Sequence, residues 1–166
     1  MEHLRGVSEI DHLFKQADHV DVKVVEGEVE LAEFIAGMMS YSPGWLRSLY
    51  AVRGVFARAL GMGHSGFDGT VFRAEDLTLL PGDKLMFFTT VAAQSGLFWI
   101  GEVTDKPLTA YLAVAMEPLG NGRNRFHVAT FIRYRNWTGP IYFNLIRPFH
   151  HVVVRQMAMA GAVATA

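Results

Sequence analysis

The last third of the chain places the strongest constraint on its fold. Tyr134-Arg135-Asn136-Trp137-Thr138-Gly139-Pro140 leads out of a strand-like run into Ile141-Tyr142-Phe143-Asn144-Leu145-Ile146-Arg147-Pro148-Phe149-His150. A strand, a short Asn/Gly/Pro loop and a long apolar-faced helix make a closing element for a curved sheet. The helix is expected to cover about 22 residues, roughly 33 Å at the α-helical rise. Its inward stripe is read as Tyr142, Leu145, Ile146, Phe149, Val152, Val153 and Met157. Pro148 removes one backbone hydrogen bond inside it and is expected to bend it. A sheet curled around such a helix usually encloses a cavity rather than a solid core.

The 166 residues are the length of one domain, read as spanning 1–166. A chain of this size buries roughly 70% of its unfolded surface, so no metal or disulfide is needed to hold it. The apolar fraction of 51% and mean hydropathy of +0.19 leave side chains to line a cavity or a partner interface. A net charge of −1 offers no basic surplus to displace phosphate counterions, which argues against nucleic acid as a partner. The absence of cysteine removes disulfides, thiolate metal sites and cysteine nucleophiles together. Neither a secretory leader nor a membrane span of about 18 apolar residues is read, so a cytoplasmic location is expected.

Residues 1–18 are mixed and polar and read as a loose lead-in. His19 to Val25 alternates, with Val20, Val22 and Val24 on one face and Asp21 and Lys23 on the other, as in a half-buried strand. Leu31, Phe34, Ile35, Met38 and Met39 have amphipathic helical spacing, with Glu28, Glu30 and Glu33 where the helix dipole favours acids. Ser42 and Pro43 then start a second helix through Trp45, Leu46, Leu49, Val52, Phe56, Ala59 and Leu60, stopped by Gly61. Beyond Gly69 the period becomes two. Strands are predicted near Thr70–Arg73, Lys84–Ala92, Leu97–Val103, Thr109–Pro118 and Arg125–Arg135, separated by Pro/Gly/Asn/Asp turns. The pair flanking Asn121-Gly122 alternates most clearly. Leu112, Val114 and Met116 face Phe126, Val128 and Ile132, while Glu117, His127, Arg133 and Arg135 fall on the other side. Residues 159–166 read as a frayed tail.

Thr130-Phe131-Ile132, Asn136 with Gly139, Tyr142 and Ile146-Arg147-Pro148-Phe149-His150, in this order, resemble the START-type, birch-pollen-allergen-like helix-grip (SRPBCC) superfamily. More narrowly they resemble its bacterial family "domain of unknown function 2867". Asp105-Lys106-Pro107-Leu108 adds a weaker match, with Pro107 where a histidine is expected. Pro140 stands where the family more often has a basic residue. The resemblance implies an α+β helix-grip fold: a curved antiparallel sheet around a long C-terminal helix, two helices after the first strand, and an apolar cavity. It implies no catalytic residue, because the family has none established, and no cofactor.

Several local signals carry chemistry only in the right context. Gly61-Met62-Gly63-His64-Ser65-Gly66 matches G-x-G-x-x-G, but a dinucleotide site needs a strand before it and a helix after it. Here the predicted order is reversed, and a loop is the better reading. His64 beside Ser65 lacks a nucleophile elbow. His150 and His151 point about 100° apart on a helix and cannot chelate as an i, i+4 pair does, so no metal site is read. Glu102, Asp105 and Glu117 are the main acids among the strands, and Glu117 faces outward, which leaves little support for paired-carboxylate catalysis.

The expected function is binding of an apolar or amphipathic small molecule. Its lining is read as Leu112, Val114, Met116, Val128, Ile132, Tyr142, Ile146, Phe149 and Val153, with Thr130, Tyr134 and His150 as polar anchors. His150 has a competing structural reading, as a donor to a backbone carbonyl or the Asn136 loop. A cyclase- or isomerase-like enzyme using the same cavity is one alternative; it needs His150 to converge with Tyr142 or Tyr134. A dimerisation or interaction module, with a homodimer as partner, is the other.

Overall fold

The computed structural model describes residues 2–46, 48 and 70–163. Six strands form one sheet: β1 (His19–Gly27), β2 (Lys84–Leu85), β3 (Phe88–Gln94), β4 (Phe98–Thr104), β5 (Leu108–Gly120) and β6 (Arg123–Tyr134). Their order is β1-β6-β5-β4-β3-β2, and every neighbouring pair is antiparallel. The first strand thus closes against the last. Asn121 and Gly122 both take positive φ, 54° and 74°, the backbone of a two-residue hairpin turn whose twist suits the flanking strands.

Around the sheet lie helices α1 (Glu2–Arg5), α2 (Ser8–Gln16), α3 (Leu31–Ser40) and α4 (Thr138–Ala162). Helix α3 opens with the Glu33 carboxylate accepting the Glu30 backbone N–H at 2.7 Å, a reciprocal cap written by the acidic run before it. Its apolar side is buried at Leu31, Phe34, Ile35, Met38 and Met39, as the spacing predicts. Helix α4 lies across the inner face of the sheet, so the fold is helix-grip α+β. No helix among the described residues is long and apolar enough to cross a membrane.

Both faces of the sheet are covered. On the inner face Leu112, Val114, Met116, Phe126 and Val128 pack with α3 and the end of α4. On the outer face Ala113, Ala115, Ala129, Phe98, Ile100 and Phe131 pack with Leu4 and Ile10. Residues 2–16, expected as a loose lead-in, are therefore two helices that bury Leu4 and Ile10 completely. Without them that small-residue apolar face would meet water.

This second cover also reverses the reading of β1. Val20 and Val22 pack on the outer face. Asp21, opposite Thr130, and Lys23, opposite Val128, lie on the inner face under α4 rather than in solvent. Two strand predictions change as well. Residues 70–73 form no strand, because the backbone N–H of Phe72 donates to Ser40 Oγ at 2.8 Å and Val71 is exposed. The expected strand over Lys84–Ala92 breaks where Met86 takes φ of 53°, giving the short β2 and a tight turn into β3.

Helix α4 is three residues longer than the estimate and continues through Pro148. Its last turns do not fray: Ala158, Gly161 and Ala162 are buried. Small residues there allow close approach, since a Cβ on Gly161 would sit 2.6 Å from the carbonyl oxygen of Phe34. Residues 44–46 begin the predicted second helix, with Leu46 fully buried. The rest of that helix, the Gly61–Gly66 motif and the His64–Ser65 pair lie outside the described residues.

Candidate ligand cavity

Along the inner face the packing changes from solid to hollow. At one end α3 wedges between the sheet and α4, and the rings of Phe34 and Phe126 stack at 4.0 Å. Toward the first half of α4 no described residue forms such a wedge, and a cavity of about 360 Å³ remains between sheet and helix. That volume falls within the roughly 300–1,000 Å³ usual for small-molecule sites.

Eight of the twelve predicted lining residues border this space: Leu112, Thr130, Ile132, Tyr142, Ile146, Phe149, His150 and Val153. The other four do not. Val114, Met116 and Val128 have the expected parity but lie further along the strands, where α3 fills the space with core. Tyr134 packs beside Phe143 at 6.4 Å between ring centres, and its backbone N–H donates to Asp18. Met38, Phe87, Phe88, Val103 and Asp105 border the cavity without having been anticipated. Their place in the wall becomes visible only once β2–β4 and α3 are in position.

The predicted inward stripe of α4 holds only in part. Tyr142, Val153 and Met157 are buried, but Leu145, Phe149 and Val152 are half exposed, at 51%, 53% and 52%. Phe143 and Val154 take the buried positions instead. The buried face of the helix is thus rotated slightly from the expected one. Leu145 and Phe149 still border the cavity, which places its opening beside them.

Behind the cavity wall is a polar cluster that hydropathy conceals. Lys23 Nζ lies 2.6 Å from Asp21 Oδ1, and His151 Nδ1 lies 3.0 Å from Asp21 Oδ2. Burial pushes the Asp21 carboxyl upward, but the contacts from Lys23 and His151 outweigh it and hold the group below the usual carboxylate range. His19 packs on Phe143 at 4.8 Å, and burial foremost, then Arg147, lowers its pKa. His150 is the most perturbed, lowered to about 4 chiefly by burial. Its imidazole is therefore neutral near pH 7. His150 Nε2 and Thr130 Oγ1 are sealed from solvent and have no hydrogen-bond partner among the described residues.

The Asn136 loop is closed without a histidine. Asn136 Nδ2 donates to the Lys106 carbonyl at 3.0 Å, and its Oδ1 accepts the Thr138 N–H at 2.9 Å. One side chain thus ties the β4–β5 turn to the start of α4. Among the described residues no cluster of His, Asp and Glu is arranged to hold a metal ion.

The model of a family described as "Protein of unknown function (DUF2867)" matches residues 13–157. No curated protein matches the chain. Among solved structures the chain is similar to a START superfamily protein from Mycobacterium smegmatis, at 14% identity, 87% of this chain, 97% of that chain and a TM-score of 0.41. It is also similar to norcoclaurine synthase from Thalictrum flavum, at 12% identity, 92% of this chain, 89% of that chain and a TM-score of 0.45. A hypothetical protein from Helicobacter pylori is similar at 16% identity, over 89% of this chain and 88% of that one, with a TM-score of 0.42.

Proposed function

The chain belongs to the DUF2867 family of proteins of unknown function, and we propose that it binds an apolar or amphipathic small molecule between its sheet and C-terminal helix. The observation that carries this reading is the hollow itself. A chain able to wedge Phe34 and Leu31 under one half of α4 leaves about 360 Å³ open under the other half. Empty apolar volume forfeits packing contacts and destabilises a fold. A guest with an apolar body restores those contacts.

The opening beside Leu145 and Phe149 gives such a guest a way in. Most of the described lining is aliphatic or aromatic, with few polar groups to orient what enters. Titration with the uncharged fluorophore N-phenylnaphthylamine tests the reading, together with native mass spectrometry of gently purified protein. Saturable binding of one probe per chain is the expected result. A protein that neither retains a guest nor binds the probe would remove the proposal.

A further inference from the structure

Helices α1 and α2 are fastened to the outer face of the sheet through their side chains. Among the described residues, the first backbone hydrogen bond from the lead-in to the sheet is that of the Asp18 N–H to the Ile132 carbonyl, at 2.8 Å. Ahead of it, His3 on α1 stacks on His127 of β6, with ring centres 5.1 Å apart and planes at 26°. His3 Nε2 donates to the Met116 carbonyl at 3.1 Å. His127 beneath it is 5% exposed, and its Nε2 donates to Glu117 Oε2 at 2.9 Å. From this geometry we propose that residues 2–16 form a strap that acid releases: a second proton on His127 cannot be held under His3, so the strap lifts and uncovers the outer face while the sheet and α4 stay folded.

The docked arrangement suits only the neutral ring. With the Nε2 hydrogen directed at Glu117, Nδ1 is the bare nitrogen. It is sealed from solvent and has no partner among the described residues. A proton there would create a buried donor with no acceptor, on a ring that has just become charged. Water reaches that nitrogen once His3 moves aside.

The surrounding charges do not remove the penalty. Glu117 on β5 favours a charged His127, but it is shared with Arg125 at 3.4 Å, which Glu26 of β1 holds in turn at 2.9 Å. The cross-strand neighbours of His127, Val24 and Ala115, carry no charge. On α1, Glu2 is exposed and Arg5 pairs with Asp11 at 3.3 Å inside the strap. Burial, foremost, lowers the His127 pKa; Glu117 works against it, and His3 and the amino terminus reinforce it. The docked form therefore binds fewer protons than the released form, and release is favoured as pH falls below the ordinary histidine value of about 6.5. Helices as short as α1 and α2 do not persist unsupported. Their departure exposes Phe98, Ile100, Ala113, Ala115, Ala129 and Phe131.

Hydrogen exchange read by mass spectrometry on the full chain tests the proposal, at about pH 7.5 and about pH 5, on either side of the ordinary histidine pKa. After correction for the intrinsic effect of pH on exchange, peptides from residues 2–16 should lose protection by about tenfold or more at the lower pH. Peptides from β5 and α4 should keep theirs. Unchanged protection of residues 2–16 would overturn the proposal, and so would its loss only together with that of β5. His127→Phe keeps a ring under His3 without a nitrogen to titrate, and should abolish the difference between the two pH values; a surviving difference would assign the release to another group. The wild-type comparison decides the matter even if that variant does not fold.

Discussion

His151 Nδ1 on the C-terminal helix lies 3.0 Å from Asp21 Oδ2 on the first strand, joining the two ends of the described chain across the inner face of the sheet. The contact is mostly shielded, since the Asp21 side chain is 11% exposed and that of Lys23 22%. It lies between a surface pair, worth up to about 1 kcal/mol, and a fully buried one, whose rupture costs about 3–5 kcal/mol. Asp21→Ala should therefore lower unfolding free energy by about 2 kcal/mol, because it strands Lys23 beside a histidine. Urea denaturation monitored by tryptophan fluorescence measures this; a change within experimental error would show the cluster to be energetically idle.

Acid should weaken the fold before its carboxylates titrate. The folded pKa of His150 is about 4, against roughly 6.5 for an unfolded histidine. Between those values the unfolded chain binds the proton and the folded chain does not, so stability falls as pH falls through that window. His19 and His127 are lowered too, burial being the leading cause in both, and act in the same direction. Asp21, held low, adds a further loss only below the usual carboxylate range. His150→Phe should flatten the dependence of melting temperature on pH between about 6.5 and 4, leaving the part owed to the other histidines. An unchanged slope would exonerate His150.

Gly161→Ala sets two effects against each other. Alanine favours a helix over glycine by about 1 kcal/mol. Its Cβ, however, would meet the Phe34 carbonyl at 2.6 Å, a backbone atom that cannot rotate away. Overpacking of this kind costs about 1–3 kcal/mol, so the variant should melt at a lower temperature than wild type. A higher melting temperature would mean that α3 and α4 are further apart than described.

Ala110→Phe should close the cavity from its floor. Ala110 borders the hollow and pairs with Ile132 across β5 and β6, so the new ring would enter the open volume rather than the wedge of α3. Affinity for N-phenylnaphthylamine should drop by about tenfold or more, with the circular dichroism spectrum unchanged. Undiminished binding by a folded variant would place the probe elsewhere.

The residues differ in how openly they announced these roles. The facing of Leu112 and Ile132 was legible from the alternation within each strand flanking Asn121-Gly122, which survives although a bulge between Pro118 and Gly120 shifts the register of the hairpin. The stop of the cavity before Val114 and Val128 was not, since parity tells which way a side chain points but not what lies opposite. Asp21 and Lys23 were misplaced for another reason. Alternation identifies the apolar face of a strand, and the polar face is assigned to water by default; α1 and α2 give the apolar set a cover of its own. Leu145 and Phe149 were placed inward because helical spacing assumes contact along the whole helix, and a hollow breaks that assumption.

Among the described residues, strand β1 has its only sheet partner about a hundred residues away, with His19 opposite Ile132 and Gly27 opposite Asn124. In a nascent chain that edge therefore stays unpaired until β6 has been made. Pairings so distant in sequence form slowly, after a large loss of chain entropy, and exposed edges invite association in the meantime. The cavity is in this sense assembled late: its roof, α4, and the strand that anchors its floor, β6, both follow every other described strand in the chain.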